Sequence, residues 1–130
     1  MAAPFTIDRV DHFVLTVVDI DETCDFYDDA LGMERETFAG GRTALKFGQQ
    51  KINLHPAAEP YNPHADNPVP GAADFCLITD TSVDDVKVHL ESLDIDVFIG
   101  PTSKTGAMGP LTSIYFRDPS GNLVEISNYD

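Results

Sequence analysis

Basic residues are scarce in this chain of 130 residues. Lys and Arg together number 8, against 22 Asp and Glu, for a net charge of −14. A surface of that sign repels phosphate backbones and anionic lipid, which argues against nucleic acid and membranes as partners. Long apolar runs are also missing, and no stretch approaches the roughly 20 residues that cross a bilayer as a helix. Residues 1–9 lack the basic and apolar regions of a secretory signal, so a cytoplasmic location is expected. Cysteine is confined to Cys24 and Cys76, which form no C-x-x-C pair. Both fall inside apolar patterns and read as small buried side chains rather than a disulfide. What the chain does have is 42% hydrophobic residues, enough for one domain or for two small modules sharing a core. The acidic excess fits an ordinary soluble protein or one adapted to a high-salt cytoplasm, where screening makes a dense negative surface tolerable.

Periodicity divides the chain into two similar runs. Val10–Val17 alternates as a strand does, with Phe13, Leu15 and Val17 on one face and His12, Val14 and Thr16 on the other. A helix follows over Asp19–Gly32, with Asp19 or Asp21 as its cap and Gly32 at the left-handed stop. Three strands are expected next, at Glu34–Phe38, Thr43–Phe47 and Lys51–His55. Five of the chain's 9 prolines then fall within Pro56–Gly71, a segment that reads as an irregular connection and a candidate rim of a site. The pattern restarts with a strand at Ala73–Thr79, a helix at Ser82–Leu93, and strands at Asp96–Ile99, Thr112–Phe116 and Leu123–Ser127; Gly100–Pro110 reads as a loop. The expected class is therefore α+β: two βαβββ modules in tandem, over 1–58 and 72–130, joined by 59–71.

Chemistry-bearing residues recur at matching places. Aligning the first strands sets His12 on Asp74, and Leu31-Gly32-Met33 on Leu93-Asp94-Ile95. His55 ends the last strand of one module, and Glu125 sits between Val124 and Ile126 in the last strand of the other. Two imidazoles with one or two carboxylates suit a divalent transition metal ion. His12, Asp74, His55 and Glu125 are together the candidate ligands. Asn53, Ser113 and Tyr115 are the expected substrate contacts.

Asp11-His12-Phe13-Val14-Leu15-Thr16-Val17, Phe26-Tyr27 with Leu31-Gly32-Met33, and Tyr115-Phe116-Arg117-Asp118-Pro119-Ser120-Gly121-Asn122-Leu123-Val124-Glu125-Ile126 resemble the vicinal oxygen chelate superfamily. That group includes glyoxalase I, fosfomycin-resistance proteins, extradiol dioxygenases and bleomycin-binding proteins. Gln50–His55, Val69-Pro70-Gly71 and Ser127-Asn128-Tyr129 are similar to its small glyoxalase-domain-containing proteins. The resemblance implies a U-shaped sheet around a divalent metal (Ni, Zn, Fe, Co or Mn). It also implies a homodimer in which His12 and His55 come from one subunit and Asp74 and Glu125 from the other. The implied function is a metal-dependent lyase or isomerase of glyoxalase type on a small molecule with vicinal oxygens, Glu125 moving the proton and Tyr115 assisting. An Fe(II)-dependent extradiol-type dioxygenase and a non-enzymatic antibiotic-binding dimer are the alternatives. Asp74 departs from the histidine usual at that position.

Overall fold

The computed structural model describes residues 2–130. The first strand, β1, is His12–Val17. It buries Leu15 and Val17 and leaves Val14 exposed on the other face, as its alternation requires. Helix α1, Ile20–Leu31, starts where the Asp19 carboxylate accepts from the Glu22 N–H at 2.8 Å and stops at Gly32, whose φ is 67°. It returns the chain so that β4, Gln50–Pro56, runs parallel to β1, while β2, Glu34–Phe38, and β3, Arg42–Phe47, complete a sheet of order β1-β4-β3-β2.

The second run repeats this plan. Strand β5 is Asp74–Ile78 and helix α2 is Val83–Ser92, capped by the Ser82 hydroxyl. Strands β6, Ile99–Gly106, β7, Gly109–Arg117, and β8, Leu123–Tyr129, give the order β5-β8-β7-β6. The chain is thus α+β, two βαβββ modules in tandem. Asp94 takes a φ of 60° at the place where the first module has Gly32, so the aligned helix ends share a backbone conformation.

Three expectations need correction. Gly100–Pro110 is not a loop: β6 occupies Ile99–Gly106, and Asp96–Phe98 is not strand. Gly100 and Pro101 read as breakers, but β6 is an edge strand, where a missing N–H costs no ladder bond. The register shift between Ile99 and Thr102 absorbs them. Leu93, expected as the last residue of the second helix, lies beyond the end of α2 and is 40% exposed. Cys24 is buried, but Cys76 is exposed, since β5 turns it to the face opposite Phe75 and Leu77.

The two modules share one core. Phe13 of β1 meets Phe75 of β5 at 5.0 Å between ring centroids, and Phe26 of α1 meets Phe116 of β7 at 6.1 Å. Their orientation is set by a polar joint inside that core. Asp118 is buried, and its Oδ1 accepts from the N–H groups of Ser120 and Asn122 at 2.9 and 3.0 Å. Its Oδ2 accepts from Asn122 Nδ2 and from the fully buried Tyr27 hydroxyl of α1, both at 2.8 Å. Ser120 Oγ accepts from the Val18 N–H at 3.2 Å, and Asn122 Oδ1 from the Ala73 N–H at 3.0 Å. One turn of the second module thereby holds the end of β1, the middle of α1 and the entry to β5.

Burial, then the adjacent Asp118 carboxylate, push the Tyr27 hydroxyl far above its ordinary range. Below pH ~10 the group is protonated in both folded and unfolded chains, and its contribution is complete. Above that pH only the unfolded tyrosine ionises, so stability falls as pH rises. Tyr27→Phe is expected to cost about 2 kcal/mol at neutral pH, the size of a buried hydrogen bond to a charged acceptor. It is also expected to flatten the alkaline limb of a Tm-versus-pH curve. An unchanged Tm and an unchanged alkaline slope would show that the joint is not stabilising.

Candidate functional site

Each sheet keeps one face out of the core, and those two faces carry the candidate residues. On the first, His12 Nδ1 lies 2.7 Å from the Asp11 carboxylate. That contact holds Asp11 below the usual carboxylate range. In the neutral ring it puts the proton on Nδ1 and leaves Nε2 a free lone pair, the arrangement in which a carboxylate orients a metal-ligating imidazole. His12 pairs with Lys51, Val14 with Asn53, and Thr16 with His55. At about 3.3 Å per residue, Asn53 stands roughly 7 Å farther along the sheet than His12, and His55 roughly 13 Å. On the second face Asp74 pairs with Leu123, and Cys76 with Glu125.

These registers revise the expected equivalence. His12 and Asp74 do correspond, each at the start of its module's first strand. The residue two steps along the partner strand is Asn53 in one module and Glu125 in the other. His55 corresponds to Ser127, whose Cα partner is Ile78. At that spacing from His12, with both side chains standing off the sheet, His55 is poorly placed to share an ion held about 2.1 Å from each ring. Parallel register depends on how the crossover helix packs, and spacing in sequence does not encode it.

Glu125 is the acceptor of a directional network. Ser127 Oγ donates to Glu125 Oε2 at 3.2 Å. Because a hydroxyl has one proton, Ser113 Oγ at 2.6 Å and Cys76 Sγ at 3.2 Å then both donate to Ser127. Tyr115 lies directly across the ladder from Glu125. Burial and the neighbouring Glu125 carboxylate push its hydroxyl up to about 12, so it stays a protonated donor at neutral pH. Tyr115 and Glu125 are thus neighbours on one face. Ser113 is fully buried across the ladder from Ser127, so its hydroxyl reaches Glu125 only through that residue and is not open to a substrate. Ser127, Cys76 and Asp11 were missed from sequence. Asp11 left a readable trace, an acid adjacent to the strand histidine, and Ser127 left one too, two residues from Glu125 on the same strand face.

His55 has a separate environment. It is 6% exposed, and its Nδ1, like Asn53 Oδ1, is buried without a hydrogen-bond partner. The segment 57–71 folds back over it, setting the Tyr61 ring edge-on at 5.2 Å, and the Arg42 guanidinium lies 4.7 Å over the Tyr61 ring. Burial, then the charges of Arg42 and His64, hold the His55 imidazole below its ordinary range. A cleft of about 420 Å³ opens here, lined by Val14, Thr16, His55, Pro63, His64 and Ala65. Among the described residues of one chain, no three His, Cys, Asp or Glu side chains converge as a metal site.

Ser127→Ala leaves the buried Ser113 hydroxyl without an acceptor, and a loss of about 1–3 kcal/mol is expected. Adding Ser113→Ala removes the orphaned group, so the double variant is expected to be less destabilised than the sum of the singles, by denaturant midpoint. Additive losses would contradict the shared network.

Comparison with known proteins bears on the same architecture. Residues 9–126 match the Glyoxalase/Bleomycin resistance protein/Dioxygenase superfamily. Virulence protein STM3117 of Salmonella typhimurium is 50% identical over 123 residues, covering 95% of this chain and 85% of that protein. Its crystal structure superposes with a TM-score of 0.95 at 49% identity, over 97% of this chain and 100% of that one. Glyoxalase domain-containing protein RDO1 of Mycosarcoma maydis is 46% identical over 124 residues, 95% of this chain and 70% of that protein. At greater distance, the lactoylglutathione lyase of Agrobacterium tumefaciens has a TM-score of 0.73 at 27% identity, covering 95% of each chain. With nearly its whole length matched and its paired modules accounted for, the chain belongs to the glyoxalase/bleomycin resistance/dioxygenase superfamily.

Proposed function

We propose that this protein is a metal-dependent enzyme of glyoxalase type, a lyase or isomerase acting on a small molecule with vicinal oxygens. The observation that carries the reading is the pair of open faces. One presents His12, its ring set by Asp11 with Nε2 free. The other presents Asp74 and Glu125, with Glu125 held by Ser127 and flanked by Tyr115. Among its described residues a single chain does not bring three such groups together, so the set fits one ion only when the faces of two copies meet. Exposed Phe5, Ile7, Val10 and Val14 give the first module apolar surface for such a contact. One imidazole and two carboxylates suit Mn, Fe, Co, Ni or Zn.

A bound divalent ion would supply Lewis-acid stabilisation of negative charge on the substrate oxygens. The chain's own groups supply the rest. Glu125 takes a proton from one substrate carbon and returns it to its neighbour, as a general base and then acid. Tyr115 keeps its proton at working pH and donates a hydrogen bond toward that carboxylate or the substrate. Asn53 Oδ1, buried and without a donor, accepts from a substrate hydroxyl. His55 lies too far from His12 to be counted with the ligands and serves the substrate side.

The test is metal content after loading and gel filtration. Wild type is expected to retain close to one ion per chain, and His12→Ala or Glu125→Ala to lose at least tenfold in affinity while the fold, read by circular dichroism, is kept. Wild type that retains no metal but binds small molecules in the cavity would replace this reading with a non-enzymatic binding dimer. Stoichiometric iron with oxygen consumption would replace it with a dioxygenase.

A further inference from the structure

We propose that the cleft at His55 is a carboxylate-binding pocket that anchors the charged end of a small monoanionic ligand. His55 is 6% exposed, lines the cleft, and has a ring nitrogen, Nδ1, without a partner. A buried polar group in that state is costly unless something entering the cleft bonds to it. As the Nδ1–H tautomer, the ring donates to an anion without needing to be charged. Thr16 and His64 line the same cleft, and His64 is held there by its contact to the Ala65 carbonyl at 2.8 Å.

The charge comes from Arg42. Its guanidinium rests on Tyr61, whose ring stands edge-on to His55, and it reaches the Asn62 carbonyl at 3.5 Å. Among the described residues it forms no ion pair; the ion pairs are Arg9–Asp8, His12–Asp11 and Arg35–Asp21. In a chain of net charge −14 with 22 acidic side chains, an unpaired arginine stacked beside an unsatisfied buried histidine marks a local positive site. One guanidinium balances a single negative charge. A carboxylate therefore suits the site better than a phosphate dianion, which the surrounding field would repel.

The cleft shares its sheet face with Asn53, two residues from His55. A ligand anchored there by its carboxylate extends its oxygens toward Asn53 and His12. This link to catalysis rests on the function proposed above, whereas the anion binding does not.

The experiment is a chemical-shift titration of the purified full-length protein with glycolate, in parallel with its neutral amide, glycolamide, and with inorganic phosphate. Glycolate is expected to shift the amide signals of residues 14–16, 42, 55 and 61–65, and to bind at least tenfold more tightly than glycolamide or phosphate. Arg42→Gln, a substitution at a partly exposed position, is expected to weaken glycolate about tenfold, the effect of one nearby charge at intermediate dielectric. His55→Phe, which keeps a ring against Tyr61 but removes the donor, is expected to abolish binding. His12→Ala is expected to bind glycolate as wild type does, whether or not the protein takes up metal. Signals in the cleft that do not move, equal binding of glycolamide or phosphate, undiminished binding by Arg42→Gln, or loss of binding in His12→Ala would each overturn the assignment.

Discussion

The arrangement of the whole molecule depends on one buried carboxylate. Asp118 sits in the turn between β7 and β8, yet what it holds lies mostly outside that turn. Its Oδ2 accepts from the Tyr27 hydroxyl, and the same turn binds Val18 and Ala73 through Ser120 and Asn122. A buried anion is stabilised only when its lone pairs are filled, and here the donors come from both modules. The hydrophobic contacts Phe13–Phe75 and Phe26–Phe116 supply the larger share of burial, but they tolerate sliding. The charged joint does not, and it fixes how the two open faces are presented.

Those faces divide the chemistry between them. The first carries His12, Asn53 and the His55 cleft. The second carries Asp74, Cys76 and Glu125 in a polar layer whose protons all run toward Glu125. A chain with so few cations uses one of them, Arg42, beside the cleft. Elsewhere the acidic surface is left largely unpaired, with Arg35–Asp21 at 2.8 Å as the single short arginine pair among the described residues.

Much of this was legible in the residues. The two-residue period of β1 placed His12 on the face away from the core, and Asp19 and Gly32 marked both ends of α1. The Asp-Pro-Ser-Gly-Asn turn was recognisable as a motif, although its job, receiving Tyr27 from 91 positions away, was not. Two features misled. Gly100 and Pro101 suggested a loop because sequence does not say which strand lies at an edge. His55 was matched with Glu125 because each lies in the last strand of its module, among aliphatic residues. The pairing of β1 with β4 shows Asn53 to be the counterpart, and that register is set by how α1 packs. Pro56–Gly71 reads from its prolines as an irregular connection, with Pro56 in fact closing β4, and only the folded chain shows that Tyr61 and His64 lie at His55.

The central claim is that His12 of one copy and Glu125 of another serve the same ion. It is tested most directly by mixing His12→Ala with Glu125→Ala after each has been purified free of metal. Random reassociation makes half the dimers hybrids, each with one site holding both native residues, so binding is predicted to recover to about a quarter of the wild-type content. A mixture that binds no more metal than either variant alone, once subunit exchange has been demonstrated, would contradict a site shared between copies.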